Sequence, residues 1–277
     1  MMPPSSRSNF LLRRLIFIPF ASLTVIQAAF AAEQGTRVLG DREFFTQGSF
    51  IAYAAPWSTD FGAGKALRHG IDYQDEITVR PETFPADVGI SWHWPLTPPK
   101  ETGVYGYHAI SYGSYDGGIP EKAIPSRQVK AIATLTETFR FSTARPIGDF
   151  NLLTEFFLTK SPGTEEKVAE VGFFLRTAKS AVEFADAGEQ HGIFTDPAGR
   201  KWKVATQSAP HGPYHMFIPE DAAEVPEGTI DFKAALDFLR AKKQITGGEW
   251  FNGLAFGIEP ITGSGSLHVE RLSVRYE

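Results

Sequence analysis

The chain has no cysteine, which excludes disulfides, thiolate nucleophiles and cysteine-based zinc sites together. It has no excess of base: 27 lysines and arginines stand against 32 acids, a net charge of −5. Such a chain is a poor partner for nucleic acid or an anionic membrane surface. It contains no internal repeat, no low-complexity tract and no linker long enough to divide domains. No D-x-D-x-D-G loop is present to cradle calcium, and nothing points to a metal or an organic cofactor. After the first 31 residues, no apolar run is long enough to cross a bilayer.

What is present begins with a leader. Arg7, Arg13 and Arg14 precede an apolar run from Leu15 to Ala31, which ends in the small-x-small site Ala29-Phe30-Ala31. This is the pattern of a secretory signal peptide over residues 1–31, so a secreted or periplasmic location is expected, with no membrane attachment after cleavage. Removing the leader takes away three arginines and no acid. That leaves 246 of the 277 residues and moves the net charge from −5 to −8. An exported chain without disulfides depends on its hydrophobic core, and residues 32–277 are long enough to build one in a single domain. A monomer is expected.

From Arg37 to about Phe217 the pattern is one of short apolar or alternating runs broken by Gly, Pro, Asp and Ser. Candidate strands are Phe50–Ala54, Ile77–Val79, Val88–Trp94, Val104–Ile110, Val129–Leu135, Asn151–Thr159, Val168–Arg176, Ala181–Phe184, Lys201–Thr206 and Tyr214–Ile218. Trp250–Glu259 and Leu267–Arg275 follow nearer the C-terminus. Strands at this spacing predict an all-β sandwich, jelly roll or barrel. One helix is predicted, capped by Asp231, with Phe232, Ala235, Leu236 and Leu239 on one stripe and Gly247-Gly248 beyond its end. It is expected to pack on the outer face of a sheet.

Two strands carry a carboxylate on a face cleared of bulk. Side chains alternate along a strand. In Ala169–Arg176, Val171, Phe173 and Leu175 therefore face the core, while Glu170, Gly172 and Phe174 face the other way. In Leu254–Pro260, Phe256 and Ile258 face the core and Ala255, Gly257 and Glu259 the opposite side. A third acid, Glu155, shares its face with Asn151, Leu153 and Phe157, where partial desolvation should raise its proton affinity. Paired carboxyls beside aromatic platforms suit glycoside hydrolysis, in which one protonates the leaving oxygen and the other attacks the anomeric carbon or activates water. Trp57 and Trp92 are the candidate sugar platforms, with Phe174 and Asn151 as further substrate contacts. A non-catalytic glycan-binding jelly roll would use the same surface. A polysaccharide lyase would want a Tyr/His pair, for which Tyr214 lies near His211 and His215, but the acidic balance disfavours a polyanionic substrate.

In the order of these motifs the chain resembles glycoside hydrolase family 12, retaining endo-β-1,4-glucanases with a concanavalin-like β-jelly-roll fold. Gly257-Ile258-Glu259-Pro260-Ile261-Thr262-Gly263-Ser264-Gly265-Ser266-Leu267 matches the family's acid/base strand without a gap. Glu170–Leu175 falls on the nucleophile strand, Asn151–Phe157 on the strand whose second Asp bonds the nucleophile, and Ala54–Ser58 on the early Trp motif. The resemblance implies Glu170 as nucleophile, Glu259 as general acid/base, Glu155 as the nucleophile's partner and a β-glucan as substrate. Gly172 and Phe174 stand where the family has Met and Trp, and the Asn pair before Trp57 is absent.

Overall fold

Apolar side chains at every second residue lay down most of the fold in a computed structural model, which describes residues 35–57, 59, 66–99, 103–117 and 124–277. The leader lies outside the described residues. One sheet of six strands runs in the order Arg37–Leu39 (β1), Gln74–Val79 (β4), Val88–Trp94 (β5), Gly263–Tyr276 (β17), Leu135–Ile147 (β8) and Glu227–Asp231 (β14). The larger sheet begins with Glu189–Thr195 (β11), Lys201–Ala209 (β12), Gly212–Pro219 (β13) and Lys167–Arg176 (β10). It continues through Phe150–Thr159 (β9), Gly253–Pro260 (β16), His108–Gly113 (β6), Phe50–Tyr53 (β3) and Phe44–Gln47 (β2). Arg127–Gln128 (β7) and Trp250–Phe251 (β15) form a short ladder beside β9.

The two sheets enclose a core to which β9 contributes Leu152, Phe156 and Leu158, β10 contributes Val171, Phe173 and Leu175, and β16 contributes Phe256 and Ile258. The intervening residues of the same strands, among them Leu153, Phe157, Phe174 and Ala255, form a separate apolar cluster on the opposite face. The alternation read from the sequence thus divides the larger sheet into a core face and a site face.

Two helices are present among the described residues. In Phe232–Ala241 (α2) the Asp231 carboxylate accepts from the Ala234 N–H at 2.9 Å, an N-cap. Its stripe of Phe232, Ala235, Leu236 and Leu239 is buried, with Phe232 edge-on to Phe156 and Phe173. The helix therefore covers the larger sheet on the side away from the site. The second helix, Lys179–Asp186 (α1), replaces the strand expected at Ala181–Phe184. The four residues Ala181-Val182-Glu183-Phe184 are too few to fix a period, and here Lys179 and Glu183 meet at 3.3 Å across one turn. The expected strand Val129–Leu135 is also corrected: Val129–Ala131 forms a 3₁₀ turn and the strand β8 starts only at Leu135.

Candidate active site

Glu155 lies on β9, the strand between those carrying the other two acids. Its position is opposite Gly172 of β10 on one side and Ala255 of β16 on the other. Glu259 is opposite Asn151, and Glu170 is opposite Phe157. The three carboxyls therefore follow one diagonal across three adjacent strands, all on the site face.

Each acid is held differently. Glu155 is buried, and both of its oxygens accept phenol hydroxyls: Oε1 from Tyr115, and Oε2 from Tyr214 at 3.2 Å. Glu155 and Glu170 also share a side-chain hydrogen bond. Burial raises the proton affinity of Glu155, while the bonds from Tyr115, Glu170 and Tyr214 pull it back. Glu170 is pushed well above the usual carboxyl range by burial, then by the charges of Glu155 and Glu259. Glu259 is pushed up to about 8 by burial and by the charge of Glu155, with the Asn151 bond opposing. Two neighbouring carboxyls do not ionise together easily, so the Glu155–Glu170 pair keeps one proton over a wide pH range.

Asn151 is one predicted substrate contact that the structure reassigns. Its side chain is buried; Nδ2 donates to Glu259 Oε2 at 3.0 Å and Oδ1 accepts from the Ala178 N–H at 2.8 Å. It positions the acid and ties down the start of α1. Phe174 is on the site face, as expected, but only 1 % exposed beside the Tyr214 ring, so it offers a sugar no surface. Trp92 is displaced altogether. It belongs to β5 of the smaller sheet, 3 % exposed and packed against Phe150. Trp94 is likewise interior, stacked between Tyr73 and Tyr105 at 4.2 and 4.5 Å. Trp57 remains available: it is 46 % exposed, with its indole 6.3 Å from the ring of Tyr107 in the site-face cluster.

The structure adds Tyr115 and Tyr214 to the site. Tyr214 was visible in sequence only as a neighbour of His211 and His215, and those two histidines part company. His211 lies edge-on to Phe157, whereas His215 is fully buried and bonds Thr206 through Nδ1 at 2.8 Å.

Solved structures share this fold at low sequence identity. Endoglucanase 3 of Trichoderma harzianum, from family 12, superposes with a TM-score of 0.70 over 89% of this chain and 100% of its own, at 19% identity. The fold is that of the family 12 glycoside hydrolases. A family 12 xyloglucanase from Bacillus licheniformis gives 0.65 over 88% and 100%, at 16% identity. The xyloglucanase domain of the Sinorhizobium fredii effector NopAA, solved with cellobiose, also superposes on this chain, at 0.58 over 85% and 98% and 13% identity. No sequence-family model and no curated protein matches the chain.

Proposed function

We propose that the chain is a secreted glycoside hydrolase cleaving internal β-1,4 bonds of a glucan of the cellulose, mixed-linkage or xyloglucan type, with retention. The observation that carries this reading is the diagonal of Glu259, Glu155 and Glu170 on one face of the family 12 fold, beside an exposed tryptophan. When the shared proton passes to Glu155, the freed Glu170 carboxylate attacks the anomeric carbon and forms a glycosyl-enzyme bond as the glycosidic C–O bond breaks. Glu259 gives its proton to the departing oxygen, then takes one from the water that releases the sugar and restores Glu170. Its titration at about 8 keeps Glu259 protonated at neutral pH, as a general acid requires. Hydrolysis should therefore fall as pH rises through about 8. Trp57 supplies the flat apolar surface on which a pyranose stacks.

A reducing-sugar assay over soluble β-glucans tests the reading, with Glu170→Ala as the control. The wild type should release reducing ends, and the variant should lose that activity while keeping its circular-dichroism spectrum and melting temperature. Retained hydrolysis in Glu170→Ala refutes the assignment of the nucleophile. Binding of glucans by the wild type without cleavage would instead make the protein a carbohydrate-binding jelly roll.

A further inference from the structure

The carboxyl pair has a support that the proposed reaction does not by itself require. β10 and β13 pair in parallel, with Glu170 opposite Tyr214 and Gly172 opposite Met216. From its place beside Glu170 the Tyr214 ring leans over Gly172, and its hydroxyl reaches Glu155 Oε2 at 3.2 Å. The space it occupies exists because position 172 has no side chain. A Cβ there would lie 2.5 Å from the Tyr214 hydroxyl oxygen and 3.0 Å from Cε2, closer than real Cβ contacts come. Tyr115 bonds the other oxygen of the same carboxyl, so Glu155 sits between two phenols while also facing Glu170.

We propose that Tyr214 is a positioning residue of the catalytic pair, admitted by Gly172, and that with Tyr115 it sets which of Glu155 and Glu170 carries their shared proton. The proposal rests on the hydrolase reading for its effect on rate. Its core, the placement of a proton, can be measured without any substrate. Hydroxyl donors on both oxygens favour Glu155 as the carboxylate and leave the proton on Glu170. Removing one donor moves the proton toward Glu155 and frees Glu170. Substitution at Tyr214 should then make the nucleophile easier to ionise, the reverse of what generic damage would do. Six further groups act on this region: Tyr53 from β3, Tyr107 and Asp116 flanking β6, Lys167 from β10, His211 from the β12–β13 turn and Glu259 from β16. All six are unchanged in the variants below, so they cancel in the comparison.

The test is a carbon-13 NMR titration of glutamate carboxyl carbons in the wild type, Tyr214→Phe, Gly172→Ala and the double variant. It is run with the pH dependence of kcat/KM on a soluble β-glucan. Tyr214→Phe keeps the ring and removes only the donor, whereas Gly172→Ala keeps the donor and displaces it. In each single variant the midpoint of Glu170 should fall by about one pH unit, a tenfold tilt in the proton's partition, and that of Glu155 should rise. The acid limb of kcat/KM should move down by a similar amount, and the double variant should shift no further than either single one. Titration curves that superimpose on the wild type's overturn the proposal, whatever happens to the rate. A shift in Tyr214→Phe that Gly172→Ala does not reproduce overturns the role given to Gly172. A wild type that titrates as expected but cleaves no glucan removes the hydrolase reading alone.

Discussion

Glu137 is a strong lever, outside the candidate site, on how the stability of this fold depends on pH. It projects from β8 into the space between the sheets, 0 % exposed, and its Oε2 accepts from Thr154 of β9 at 2.6 Å. Its Oε1 has no hydrogen-bond partner among the described residues. Burial pushes this carboxyl up to about 8, from 4.5 in an exposed chain. Between those two values the folded protein holds a proton that the unfolded chain has released, so stability declines as pH rises. The decline is about 1.4 kcal/mol per pH unit, or about 5 kcal/mol across the window. A domain of ordinary stability has only about 5–15 kcal/mol in total. Glu137→Gln keeps the shape and an acceptor for Thr154 but cannot ionise. Urea unfolding followed by tryptophan fluorescence should find the two proteins within about 1 kcal/mol of each other at pH 5. At pH 9 the variant should be more stable by about 4–5 kcal/mol. The raised carboxyls of the active site lower stability in the same direction, but they do so in both proteins and drop out of the difference. An equal gap at pH 5 and pH 9 would mean that Glu137 does not enter the fold neutral, and the reasoning would fail.

Three further predictions separate roles that the sequence alone blurred. Trp57→Ala should raise KM for a glucan about tenfold with little change in melting temperature. Trp92→Ala should instead lower stability by about 3–5 kcal/mol, the range for emptying a core aromatic site, and leave KM of the folded fraction unchanged. Asn151→Ala removes the donor that favours the charged form of Glu259. The alkaline limb of the rate profile should therefore move up by about one pH unit, with a lower melting temperature because the Ala178 N–H loses its acceptor. A limb that moves down would reverse the role assigned to Asn151.

Much of the site was legible because a strand writes its two faces into alternate letters. Glu170, Glu155 and Glu259 each lie on the face that alternation assigned, and the small residues around them mark it. Depth was not legible. Phe174 is on the correct face yet covered, and Trp92 is on a strand of the other sheet, since alternation cannot say which sheet a strand joins. Most of β8 escaped notice because Glu137 holds an inward position and interrupts the apolar alternation. α1 escaped because the four residues Ala181-Val182-Glu183-Phe184 carry too little period to tell helix from strand. Tyr214 could not be placed at all. Its partner on β10 is set by a parallel pairing of distant segments, which no local pattern encodes.

That parallel pairing carries a consequence for how the protein is built. Neighbouring antiparallel strands can be joined by a tight turn, but parallel ones need a long return path. Here the path from β10 to β13 runs through α1 and then β11 and β12, the two strands at one margin of the larger sheet. Glu170 and its phenol neighbour are therefore brought together by a pairing of distant segments, and such pairings are the slow ones in folding. On dilution from denaturant, bulk β-structure should return before the chemistry does. A nick in the connection that leaves the remaining sheet intact should still abolish the proposed hydrolysis.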